Sequence, residues 1–124
     1  MEQSWNILVV DDERYNIDLV RRALRPRRRY NIIAADSPTE ALMILASTEV
    51  HLLIVDQKMP GMTGVELLEH AKLAGTLVPA IMATAYPDDA DVRQALAVHL
   101  IIRILDKPWF SQEMLGAVDQ AIVA

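Results

Sequence analysis

The chain predicts a doubly wound α/β fold, a five-stranded parallel sheet with helices on both faces. Three observations carry the prediction. Short apolar runs recur at 7–10, 31–35, 52–55, 80–83 and 101–105. Three of these runs show no polar alternation, which suits strands covered on both faces. Amphipathic segments lie between them, and right-handed crossovers turn such an alternation into a layered sandwich.

The first strand, Ile7–Val10, runs into Asp11 and Asp12. Ile17, Val20 and Leu24 then fall at i, i+3 and i+7, one face of a first helix. The basic run Arg25–Tyr30 reads as a solvated loop, and Asn31–Ala35 as the second strand. Ser37-Pro38-Thr39-Glu40 has the pattern of a capping box with proline at the first helical position. It opens a second helix with Ala41, Leu42 and Leu45 on its apolar stripe. The third strand, Leu52–Val55, ends on Asp56, and Pro60, Gly61 and Gly64 supply turn chemistry after it. Thr63-Gly64-Val65-Glu66 is a second capping box, and Leu67, Leu68 and Ala71 face the core from the third helix. Ala80–Ala83 form the fourth strand, followed by Thr84. Asp88 or Asp89 caps a fourth helix carrying Val92, Ala95 and Leu96. The fifth strand, 101–105, leads to Lys107-Pro108, and Leu115, Val118 and Ile122 mark a fifth helix.

Composition narrows the function. A chain of 124 residues makes one domain, residues 1–124, and 52% apolar content suffices for its core. A net charge of −5 argues against a nucleic-acid module, so no direct nucleic-acid contact is expected. There is no cysteine, hence no disulfide framework and no thiolate metal site. No leader and no membrane-length apolar run is evident, so a soluble, cytoplasmic protein without membrane contact is expected. His51, His70 and His99 share no ligand spacing and receive no function.

In a sheet of this kind, ligands sit beyond the carboxyl ends of the strands. Asp11, Asp12, Asp56, Thr84 and Lys107 are delivered there by four separate segments. Three gathered carboxylates repel one another and either share protons or bind a cation. An all-oxygen, carboxylate-rich set suits a hard ion such as Mg²⁺. With Mg²⁺ and Lys107 offsetting the carboxylates, a phosphoryl group is admitted, and Lys107 and the Thr84 hydroxyl can hold its oxygens. Asp56, alone at a strand end before a glycine-containing loop, is the candidate nucleophile for an aspartyl phosphate.

The motifs DDE (11–13), DQKMPGMTG (56–64), TA (84–85) and KP (107–108) resemble the signature of the response-regulator receiver domain of two-component signalling. They do so in order and along essentially the whole chain. The resemblance implies a flavodoxin-like, CheY-like strand order of 2-1-3-4-5. It implies that Asp56 takes a phosphoryl group from a histidine kinase or histidine phosphotransfer protein. Asp12, Asp56 and the main-chain carbonyl of Lys58 would ligate Mg²⁺, with Asp11 acting largely through a metal-bound water. Thr84 and Lys107 would grip the phosphoryl oxygens, and Pro108 would follow the lysine through a cis bond, which only proline adopts cheaply. Such a domain is a signalling switch that catalyses its own phosphorylation and slow dephosphorylation, not a turnover enzyme.

The added charge would draw in the loops carrying Thr84 and Lys107 and shift the fourth helix. The surface of the fourth helix, fifth strand and fifth helix would then control an output domain or effector protein, or form a homodimer. The chain stops just past the fifth helix, consistent with a stand-alone receiver or the first piece of a longer regulator. Trp109 after KP resembles receivers that precede HD-type cyclic-di-GMP phosphodiesterase domains.

Two positions depart from the family. Ile104 stands where the family usually has Tyr or Phe, so an inward-swinging ring cannot report the switch; Tyr86 is the alternative reporter, and a partial shield of the site. HLII at 99–102 replaces the usual Gly-Ala and reads as ordinary core, with a partner surface as the alternative. Two other functions compete. A haloacid-dehalogenase-like phosphatase needs a second aspartate two residues after the nucleophile, where this chain has Lys58. A receiver-shaped module that is never phosphorylated would have no use for the intact acidic set.

Overall fold

A computed structural model describes residues 3–123, and in it each of the five apolar runs contributes a strand. The elements are β1 (Trp5–Val10), α1 (Arg14–Leu24), β2 (Tyr30–Ala35), α2 (Pro38–Ser47), β3 (Leu52–Val55), α3 (Gly64–Leu73), β4 (Ala80–Thr84), α4 (Ala90–Ala97), β5 (Arg103–Asp106) and α5 (Ser111–Val123). The strands are parallel and ordered β2-β1-β3-β4-β5. Alternate residues of a strand point to opposite faces. Leu8, Val10, Leu53, Val55 and Met82 therefore meet α2, α3 and α4 through Ala41, Leu67, Leu68, Val92 and Ala95. Ile7, Val9, Leu52, Ile54 and Ile81 meet α1 and α5 through Ile17, Val20, Leu24, Met114 and Val118. Both faces are covered, and for that reason the stretches Ile7–Val10, Leu52–Val55 and Ala80–Ala83 of the central strands carry no polar residue. Among the described residues no helix is long and apolar enough to cross a membrane.

The helix starts show which local signals hold. Thr63 and Glu66 close a reciprocal capping box, with Glu66 N–H donating to Thr63 Oγ1 (3.1 Å) and Thr63 N–H to Glu66 Oε1 (2.9 Å). At α2 the box is displaced by one residue. Ser37 Oγ accepts from Glu40 N–H at 3.2 Å, but Glu40 Oε1 accepts from Asp36 N–H, not from Ser37. Asp89, rather than Asp88, caps α4 through the N–H groups of Asp91 and Val92.

Two boundaries differ from expectation. The fifth strand is Arg103–Asp106, not 101–105. Leu100 and Ile101 instead plug the space under α4, where their N–H groups reach back to Ala95 O, while Ile102 is half-exposed. Apolarity marked burial there, not strand geometry. On α5 the buried stripe is Met114, Ala117 and Val118, with Leu115 and Ile122 at its margin. Finally, the basic run at 25–30 is not wholly free in solvent. Arg27 and Tyr30 are fastened to Asp119 of α5.

Candidate functional site

The sheet ladder sets the site. Beyond the end of β1, the Asp11 N–H donates to Ala35 O of β2 at 3.2 Å. Beyond the end of β3, the Asp56 N–H donates to Val10 O at 3.1 Å. Adjacent strands thus carry the two aspartates one residue past their regular ends, side by side. Asp11 and Asp56 are buried, Asp12 is exposed, and one carboxylate oxygen of each lies within 4.8 Å of the others. Lys107 arrives from β5. Its N–H donates to Thr84 O at 2.9 Å, and its Nζ sits 2.8 Å from Asp11 Oδ2 and 3.4 Å from Asp56 Oδ1. The Lys107–Pro108 bond is cis.

Each Asp11 oxygen is engaged. Oδ1 accepts from Glu13 N–H (2.9 Å) and Asn16 Nδ2–H (3.3 Å), and Oδ2 takes Lys107. The aspartate therefore turns the chain into α1 rather than capping it, and its rotamer is held from both sides. Asp56 stands differently. Burial pushes its carboxyl above the ordinary value, Lys107 pulls it back, and the charge of Asp11 pushes it up again. One lysine faces three carboxylates, so the cluster keeps excess negative charge. An oxygen-only donor set with that charge excess fits a hard divalent cation.

The profile of the response regulator receiver domain family matches residues 7–119. The chain belongs to this family. It is 31% identical over 123 residues to the hydrogenase transcriptional regulatory protein HoxA of Cupriavidus necator, covering 99% of this chain and 25% of that protein. The chain thus spans about a quarter of the length of that curated relative. It is 32% identical over 80 residues to sporulation initiation phosphotransferase F of Bacillus subtilis, covering 64% of each. Among solved structures, it resembles the signal receiver domain of an HD domain-containing protein from Pseudomonas fluorescens, with a TM-score of 0.88 and 33% identity, covering 98% of this chain and 96% of that one.

Within this receiver, the remaining expected site residues are placed unevenly. Thr84 is fully buried at the end of β4, and its Oγ1 accepts from Tyr86 N–H at 3.0 Å. A hydroxyl that accepts still has its own hydrogen to donate. The Lys58 side chain turns away from the acidic cluster. Its Nζ lies 3.5 Å from Asp89 Oδ2 and 5.3 Å from the centre of the Tyr86 ring. That side chain links the β3–α3 loop to the cap of α4. Ile104, half-buried, pairs with Met82 in the sheet and lines a concavity with Pro87, Leu96 and Ile102.

Several site residues escaped sequence reasoning. Gln57 is buried, its main-chain oxygen accepting from Gly64 N–H (3.0 Å) and its Oε1 from Val65 N–H (2.9 Å). It ties the loop after Asp56 to the start of α3. Asn16, in the first turn of α1, donates to Asp11 Oδ1 at 3.3 Å from five positions on, a contact that no helical spacing rule marks because Asp11 lies ahead of the helix. Trp109 and Asn16 line a small cavity of about 10 Å³ beneath Asp11, Asp56 and Lys107. His51, by contrast, is structural: its Nδ1 accepts from Asn6 N–H at 2.9 Å, and its ring meets Trp5 edge-on.

Proposed function

We propose that residues 1–124 form one receiver domain that accepts a phosphoryl group on Asp56 and passes the event to a partner as a change of shape. Asp11, Asp12, Asp56 and the main-chain carbonyl of Lys58 would hold Mg²⁺, which when bound offsets the charge gathered on the carboxylates and the incoming phosphoryl group. An Asp56 oxygen attacks phosphorus as the P–N bond of a phosphohistidine donor, from a histidine kinase or histidine phosphotransfer protein, breaks. Lys107, already 3.4 Å from Asp56 Oδ1, takes a phosphoryl oxygen. The Thr84 hydroxyl donates to another, which requires the β4–α4 loop to move inward. Because Asp89 of that loop caps α4 and is paired with Lys58, the movement is transmitted to the helix. With isoleucine at position 104, the readout is repacking of Ile104, Leu96 and Ile102, not the rotation of a ring.

The observation that carries this reading is the cluster of Asp11, Asp12 and Asp56 oxygens within 4.8 Å, with Lys107 bridging two of them. The output is an attached domain, a separate effector or a second copy, reached through α4, β5 and α5, in the cytoplasm. Intact mass after incubation with acetyl phosphate and Mg²⁺ tests the reading. A single phosphoryl adduct is expected on the native protein, none after chelation and none on Asp56→Asn. An unmodified protein that also fails to shift with beryllofluoride would instead indicate a binding module that is never phosphorylated.

A further inference from the structure

Six arginines, Arg21, Arg22, Arg25, Arg27, Arg28 and Arg29, fall within nine consecutive positions that contain no acid. They are half of the chain's 12 cations, and the nine positions hold none of its 17 acids. These arginines occupy the last turn of α1 and the turn into β2, at the amino-terminal edge of the sheet, where Trp5 pairs with Tyr30. Six residues of β1 separate that edge from Asp11, a distance of about 20 Å at the rise of an extended strand. The corner is concave. Two adjoining hollows of about 490 and 390 Å³ share Arg27, Arg28 and Tyr30.

The structure already displays what this corner binds. Arg27 grips the Asp119 carboxylate with two bonds, at 3.1 and 2.7 Å, and the Tyr30 hydroxyl donates to the same carboxylate at 2.6 Å. Burial first, and then Asp119, push the Tyr30 hydroxyl up to about 12, so it stays a donor at any working pH. Arg25 and Arg28 are exposed beside this triad and make no ion pair among the described residues. Every cation here is arginine, whose planar fork meets a carboxylate with two parallel bonds, rather than lysine.

We propose that this arginine corner is a docking surface for a short acidic segment of a partner protein, seated on Arg25 and Arg28 next to the Arg27–Asp119–Tyr30 triad. Size decides between an acidic segment and a longer polyanion. Nucleic acid carries a charge about every 1.7 Å and runs on past its contacts. Beyond the corner it would lie over the acid-rich remainder of the chain. Charges are screened over about 8–10 Å at ordinary salt, so a segment confined to the corner feels mainly the arginines. A flat anionic membrane meets the same objection as nucleic acid. The site is remote from Asp56 and does not depend on its phosphorylation.

The test is titration of the whole chain with a short peptide of alternating Asp and Glu, followed by calorimetry or fluorescence anisotropy. Binding should weaken with salt, and Arg25→Glu with Arg28→Glu should lower affinity by about tenfold or more. Arg27 is left intact because it holds Asp119, and matching melting curves will show that the double variant folds. Lys72→Glu, an exposed cation elsewhere, should leave affinity unchanged. The proposal is overturned if the peptide does not bind, or if the double variant binds it as tightly as the native chain. It is equally overturned if a single-stranded oligonucleotide or phosphatidylserine vesicles bind the same arginines more tightly than the peptide does.

Discussion

Gly64 and Gly116 both sit in helices, yet alanine should act on them with opposite sign. A Cβ built at Gly64, the first residue of α3, collides with the main-chain oxygen of Asp56 and lies 3.2 Å from Met82 Cε. The methionine end can yield, but the Asp56 backbone cannot. It is pinned through its N–H to Val10 O at 3.1 Å, while the Gly64 N–H holds Gln57 O at 3.0 Å. Replacing glycine by alanine inside a helix ordinarily gains about 0.5–1 kcal/mol. Forcing an extra methyl into a packed site costs about 1–3 kcal/mol. At Gly64 the collision wins, and Gly64→Ala should destabilise by about 1–2 kcal/mol net. At Gly116, on the exposed side of α5, an added Cβ meets nothing within 4 Å. Only the propensity gain remains, so Gly116→Ala should stabilise by about 0.5 kcal/mol or slightly more. The two variants should therefore differ by about 2 kcal/mol, or roughly 8 °C in Tm for a domain of this size. Thermal and urea melts followed by circular dichroism, in one buffer, measure the difference. A Gly64→Ala protein as stable as the native one would refute the claim that this glycine is required by the backbone of Asp56.

Three further outcomes are expected. In magnesium-free buffer at pH 7, Asp56→Asn should raise stability, because burial raises the folded pKa of this carboxyl and it costs stability while ionised. That cost is complete above the raised folded pKa, shrinks as pH falls below it and is gone only below the ordinary unfolded value, so melts of the two proteins should converge on acidification. Asp119→Asn should lose less than about 1 kcal/mol, since the Arg27–Asp119 pair is partly exposed. The Arg27 hydrogen bonds hold the Asp119 carboxyl below its usual range, so the native advantage is present at neutral pH. It should fade once pH drops under about 4 and disappear below the lowered folded pKa, as read from urea midpoints across a pH series. Given phosphorylation on Asp56, Tyr86→Ala should shorten the phosphoryl lifetime roughly threefold or more by admitting water, and an unchanged or longer lifetime would show that Tyr86 and Lys58 do not guard the site.

Much of this protein was legible in one dimension. Strands covered on both faces read as unbroken apolar runs, and the Thr63–Glu66 box and the stripes of α1 and α3 obey rules of near neighbours. The acidic residues could be named because a parallel sheet sends every strand end to one edge. The fifth strand was started two residues early, at Ile101, because apolarity reports burial, not backbone geometry, and a plug under a helix looks the same as a strand; Leu100 and Ile101 are core, as their sequence suggested. Gln57 went unseen, and Gly64 was read only as turn chemistry, because their importance lies in what touches them.

The sequence by itself determined the element order, the crossover fold and the residues waiting at the carboxyl edge, since these follow from periodicities of two and of three to four residues. Only the tertiary structure decided that Lys107 rests on Asp11, 96 positions away, that Asp119 reaches back 89 positions to Tyr30, and that Lys58 turns from the cluster toward Asp89 and Tyr86. Contacts of that separation are set by how whole elements pack, and no short stretch of chain records them.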